Sequence, residues 1–169
     1  MPLLKGTAQV ADTWTTVSDI ADLPDGASAI VTLDVWRNHR DSLIQRNAPL
    51  GVRLKSDQPP GSIAGDIERF DVIALEFPKF TDGRAYSSAT LLRERYGFKG
   101  ELRAVGNVLR DQAMFMWRCG FDAFEVADQD EADAWESALK RYSVTFQLAP
   151  VTEGAPPAPW RPHARQRAS

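Results

Sequence analysis

Val72-Ile73-Ala74-Leu75-Glu76-Phe77 is the stretch that decides the fold. Five of its six side chains are apolar, and it reads as the strongest strand in the chain. A strand followed by a helix and a further strand implies a βαβ unit of a parallel sheet. The residues that follow agree. Tyr86, Ala89, Leu92 and Tyr96 recur at helical spacing, and Gly97 stands where a glycine closes a helix. Residues 101–105 return to strand character.

Outward from this strand–helix–strand unit the alternation continues in both directions. Downstream, Val108, Gln112, Phe115, Met116 and Cys119 mark one helix face ended by Gly120. A strand over 122–126 follows, then an amphipathic face of Ala132, Trp135, Leu139 and Tyr142, and an edge strand over 144–148. Upstream, 29–35 reads as a buried strand, 39–46 as a short helix and 51–55 as a strand. Asp57-Gln58-Pro59-Pro60-Gly61 is a turn by composition, and 63–70 is helical. The first 25 residues show no clear period, although Trp14 to Val17 suits an extra edge strand.

Strands separated by helices imply βαβ units, with right-handed crossovers placing helices on the two faces. The expected class is therefore α/β: an open three-layer, mainly parallel sheet of five or six strands. The alternative is a partial TIM-barrel-like arc, since so few strands cannot close an eight-stranded barrel. At 169 residues the chain suits one domain, placed at 1–149. Residues 150–169 hold five of the 11 prolines together with Arg161, Arg165 and Arg167, and read as a disordered tail.

Composition excludes several classes. One cysteine, Cys119, rules out an internal disulfide, and with only two histidines a self-contained zinc or iron–sulfur site is not expected; no metal and no cofactor is assigned. No dinucleotide fingerprint, Walker loop or nucleophile elbow occurs. No apolar run reaches the ~20 residues that span a bilayer, and the start of the chain lacks signal-peptide order, so a cytoplasmic protein without membrane contact is expected. A net charge of −3 argues against nucleic-acid binding. That total hides an asymmetry: residues 76–118 carry eight Lys or Arg against five acids, or +3, leaving −6 for the rest.

Ligands of open parallel sheets bind beyond the carboxyl ends of the strands. If the strands over 72–77 and 101–105 are neighbours, Lys79, Asp82, Arg84, Asn107, Arg110 and Asp111 converge there. Lys79, Arg84, Asn107 and Arg110 are the candidates for holding a small oxyanion or a partner, beside helix N-termini that favour negative charge. Arg110 sits in a first turn, where a cation is disfavoured by ~0.3–1 kcal/mol, so something else wants it there. Asp82 and Asp111 are the proton-transfer candidates if catalysis occurs. Blander roles are available: Asp82 and Asn107 as helix caps, and Arg93, Glu94, Arg95 and Lys99 as a solvated face. His39 reads as a surface residue, and Cys119 as a small core hydrophobe.

The runs Phe77-Pro78-Lys79-Phe80-Thr81-Asp82-Gly83-Arg84-Ala85-Tyr86-Ser87, Leu91-Leu92-Arg93-Glu94-Arg95-Tyr96-Gly97, Gly100-Glu101-Leu102-Arg103-Ala104-Val105-Gly106, Leu109-Arg110-Asp111-Gln112 and Arg118-Cys119-Gly120-Phe121-Asp122-Ala123-Phe124 resemble the DUF934 family over roughly 25–148. Asn107 stands where that family favours aspartate, and Ala85 where it favours glycine. The resemblance implies a bacterial protein of unassigned activity, encoded beside assimilatory sulfite reductase and phosphoadenylylsulfate reductase. It brings no catalytic residues. The implied role is an accessory protein of sulfate and sulfite reduction, with either reductase as partner. The alternatives are a small enzyme acting on a phosphorylated or sulfated metabolite, and a non-catalytic partner-binding domain.

Overall fold

The structure is a computed structural model and describes residues 1–6 and 8–141. Calls on 144–148, on the Leu139 and Tyr142 face and on the tail from 150 fall outside the residues and side chains it describes. In chain order the elements are β1 (Leu3–Lys5), β2 (Ala8–Val10), β3 (Thr15–Val17), β4 (Ala29–Thr32), α1 (Leu33–Ile44), β5 (Leu50–Leu54), a 3₁₀ segment (Pro60–Arg69) and β6 (Val72–Phe77). Then come α2 (Arg84–Glu94), β7 (Glu101–Gly106), a 3₁₀ turn (Arg110–Gln112), α3 (Ala113–Cys119), β8 (Ala123–Glu125) and α4 (Gln129–Arg141).

One eight-stranded sheet runs in the order β2-β1-β8-β7-β6-β5-β4-β3. From β3 to β8 all neighbours are parallel, whereas β1 joins both β8 and β2 antiparallel. This corrects the expected open sheet of five or six strands with helices on two faces. The parallel strands follow one another in sequence order without reversal, so right-handed crossovers all fall on the same side. Helix residues Trp36, Leu43, Ile63, Ala89, Leu92, Met116 and Trp135 accordingly share one core with strand residues Leu4, Val31, Val52, Ile73, Leu75, Leu102 and Phe124. The partial-arc alternative fits this winding, apart from the antiparallel β1 and β2.

A length argument shows how strongly the sheet curls. β2 and β3 occupy opposite edges, yet only residues 11–14 connect them. The five steps from Val10 to Thr15 reach at most about 18 Å. Eight flat strands would separate their edges by about 34 Å. The edges are therefore drawn together into a half-barrel, and the connection straps its concave face. On that face Trp14 packs against Ile30, Val72, Ala74 and Val105, and Asp12 accepts from Arg103 Nη1 at 2.7 Å. Arg103, 2 % exposed, also donates through Nε to Glu101 at 2.8 Å.

Smaller corrections follow from local chemistry. The β-branched run from Ala29 stops as a strand at Thr32, whose hydroxyl accepts from Val35 N–H and so opens α1. α1 thus starts six residues before the expected helix and is kinked at His39. The helix expected from Val108 begins with a 3₁₀ turn instead, and Phe115 lies on its exposed side. Gly120, at φ 110°, closes α3 in the left-handed conformation.

Candidate functional site

β6 and β7 are neighbours in register, with Phe77 opposite Gly106, so the two loops singled out by sequence leave the sheet side by side. Gly106 is required there. Its φ is +90°, and a Cβ would sit 2.6 Å from the Phe77 carbonyl oxygen. The next amide, Asn107 N–H, donates to that same oxygen at 2.7 Å. Asn107 is not a helix cap, because Leu109 precedes the 3₁₀ turn and Gln112 precedes α3.

In the first loop Asp82 and Arg84 form a two-point pair. Asp82 Oδ1 accepts from Arg84 Nε at 2.9 Å and Oδ2 from Nη2 at 2.6 Å, while the Arg84 backbone N–H donates to Oδ1 at 3.2 Å. Hydrogen bonds from Arg84 hold the Asp82 carboxyl well below the usual carboxylate range. Arg84 also donates to Ser56 Oγ at 2.8 Å, tying in the loop after β5. Gln112 joins the two predicted loops: it accepts from Tyr86 O–H at 3.0 Å and donates to the Phe80 carbonyl at 3.3 Å. Lys79, Arg110 and Asp111 are exposed and in no ion pair among the described residues.

The same edge is apolar to a degree that sequence reading missed. Phe80 is 46 % exposed, Leu109 39 % and Phe115 48 %. Gln112 lies between them, three residues from both Leu109 and Phe115 and bonded to Phe80. Phe115 rests on Tyr86 with ring centroids 4.8 Å apart, and the Arg118 guanidinium lies 6.0 Å from its ring centre. Helical spacing assigned Phe115 to the buried face; the signal that could have moved it was Trp117, which takes the buried position two residues on.

Much of the charge excess over 76–118 proves structural. Arg93, read as solvated, has its side chain largely covered at the opposite end of the sheet. It donates to the carbonyls of Phe98, Gly100 and Gly120 and to Asp122, each at 2.8–2.9 Å. Asp122 also accepts from Leu102 N–H at 2.8 Å. Burial lowers the Arg93 pKa and raises that of Asp122, while their pairing acts against both shifts. With Arg103 strapped and Arg84 clamped, Lys79, Arg110 and Arg118 are the cations left to the strand-end edge.

A second feature went unread. The concave face holds a cavity of about 230 Å³ at the carboxyl ends of β3–β6. Arg53, Lys55, Asp34 and Glu76 bring charge of both signs to it. Thr16, Ser18 and Thr32 add hydroxyls, and Gln58 an amide. Arg53 Nε lies 3.2 Å from Glu76 on the adjacent strand. The readable signal was a charged residue alternating with Val52 and Leu54 in β5, and again with Leu75 and Phe77 in β6. His39 does not line this cavity, although Asp34 on the same helix does. Burial raises the pKa of Cys119, whose side chain packs partly against the core, as expected of a small hydrophobe rather than a reactive thiolate.

Among the described residues no helix is long and apolar enough to cross a membrane, and no group of three or more His, Cys, Asp or Glu is placed to hold a metal. Fold and edge together define an α/β half-barrel that presents its distinctive chemistry beyond the strand carboxyl ends. The chain belongs to DUF934, described as bacterial proteins of unknown function, whose family model matches residues 51–156. No curated protein and no solved structure matches it. The family match includes the β6 and β7 loops and α3, whereas β1–β4 and α1, with Thr16, Ser18, Thr32 and Asp34, precede it.

Proposed function

We propose that this protein is an accessory factor of assimilatory sulfate and sulfite reduction that docks an acidic face of a reductase onto its β6–β7 edge. The observation that carries the reading is the grouping of exposed Phe80, Leu109 and Phe115 with Lys79, Arg110 and Arg118. Large exposed aromatics supply the anchors of protein interfaces, and surrounding cations steer an acidic partner. The same cations would attract a small oxyanion, but three apolar side chains among them contribute nothing to one and favour a protein surface. The family resemblance supplies the pathway, and sulfite reductase or phosphoadenylylsulfate reductase is the expected partner.

Biolayer interferometry against each purified reductase from the same host tests this. Wild type binds one of them, and F80A/F115A weakens binding by about 30-fold or more, as for interface anchors worth ~2 kcal/mol. Binding to neither reductase, or binding that survives F80A/F115A and K79E/R110E together, overturns the reading.

A further inference from the structure

We propose that the concave cavity binds a zwitterion of α-amino-acid size, its carboxylate toward Arg53 and Lys55 and its ammonium toward Glu76 and Asp34. Size sets the first limit. About 230 Å³ falls below the roughly 300–1,000 Å³ of drug-sized pockets, so the ligand is a small metabolite. Charge sets the second. The lining carries two cations and two carboxylates. A bare oxyanion would meet Asp34 and Glu76, and a simple amine would meet Arg53 and Lys55, each at the cost of like-charge repulsion. Only a ligand with both signs a few ångströms apart is matched throughout.

Spacing agrees with this. Arg53 and Glu76 hold opposite charge 3.2 Å apart on neighbouring strands, and their side chains stay partly exposed at 31 % and 26 %. Arg53 engages Glu76 through Nε alone, so its two terminal nitrogens have no hydrogen-bond partner among the described residues. Thr32 Oγ accepts from the backbone and keeps its hydroxyl proton to donate. Gln58 accepts Lys55 N–H through Oε1 at 2.9 Å, which leaves its amide nitrogen as a further donor. The surplus of donors around Arg53 suits a carboxylate, and the two side-chain carboxylates suit an ammonium group.

The inference does not depend on the docking face, and K79E/R110E leaves it intact. The test is amide NMR of the full chain titrated singly with each standard amino acid, and with sulfate, acetate and methylamine as controls. At least one amino acid produces saturable shifts at Thr16, Ser18, Thr32 and Gln58, while the controls do not at the same concentration. R53Q and E76Q each weaken that response about tenfold or more. D34N/E76Q loses the amino acid and gains sulfate. Lys55→Gln, at an exposed position, gives the same readout should the strand variants lose their fold. The proposal is overturned if no amino acid shifts these amides, or if sulfate shifts them as strongly in wild type.

Discussion

Arg93 shows how a single side chain can be misread. Its neighbours Glu94, Arg95 and Lys99 make a charged run, and nothing nearby announces that its partner Asp122 lies 29 residues away. Four bonds converge on one guanidinium, whose side chain is 8 % exposed. Arg93→Met leaves three carbonyls and Asp122 without that donor and costs about 3–5 kcal/mol, read as a lowered urea midpoint. Asp82 offers a contrasting test by pH. Its pKa is depressed, so the stability it contributes is fully present above the ordinary aspartate value of about 3.9, and is lost as pH falls from there through the folded-state value. Thermal melts of Asp82→Asn therefore show a shallower decline than wild type below about pH 4. Asp122, raised by burial, acts with opposite sign: its contribution is present at low pH and fades as pH rises.

Elements were legible where their pattern was long or uninterrupted. Residues 72–77 and the start of β7 match their strands because apolar runs of that length have few other uses. α1 was misplaced because strand and helix share one mostly apolar stretch, 29–36, interrupted only at Thr32 and Asp34, and the break depends on the hydroxyl at Thr32. β1 and β2 went unseen because three residues each are too few to show a period. Of the candidate site, the adjacency of the two loops was readable from strand order. The role of Gln112 as their bridge was not, since it depends on Phe80 in the first loop and on Tyr86 in α2. Gly106 is where element and site meet. Gly106→Ala must strain a φ of +90° and displace the Phe77 carbonyl, costing about 1–3 kcal/mol, measurable by chemical denaturation. The same change shifts the Asn107 and Gln112 amides in NMR spectra.

At the scale of the molecule, helices on one side of the sheet leave the other side to the strap and the cavity. A doubly wound sheet would have buried Arg53 and Glu76 beneath helices; a half-barrel keeps them at a mouth. The charge asymmetry read from sequence divides accordingly, part into buried pairs and part onto the strand-end edge. The proposed docking through that edge predicts salt sensitivity: raising ionic strength from about 0.05 to 0.3 M slows association of wild type, and K79E/R110E removes most of that dependence in surface-plasmon kinetics.

The pairing of β1 with β8 also sets a timetable. Gln9 and Gln129, which bond to each other beside this seam, are 120 residues apart in the chain. At the ribosome's pace of roughly 5–20 residues per second, the first hairpin waits about 6–24 s for the strand it must join. Until then Leu3 and Leu4 have no sheet to enter, and β8, once made, offers an open edge. The newborn chain is therefore most vulnerable to sticking to its neighbours during that wait, before β8 gives Leu3 and Leu4 a strand to join.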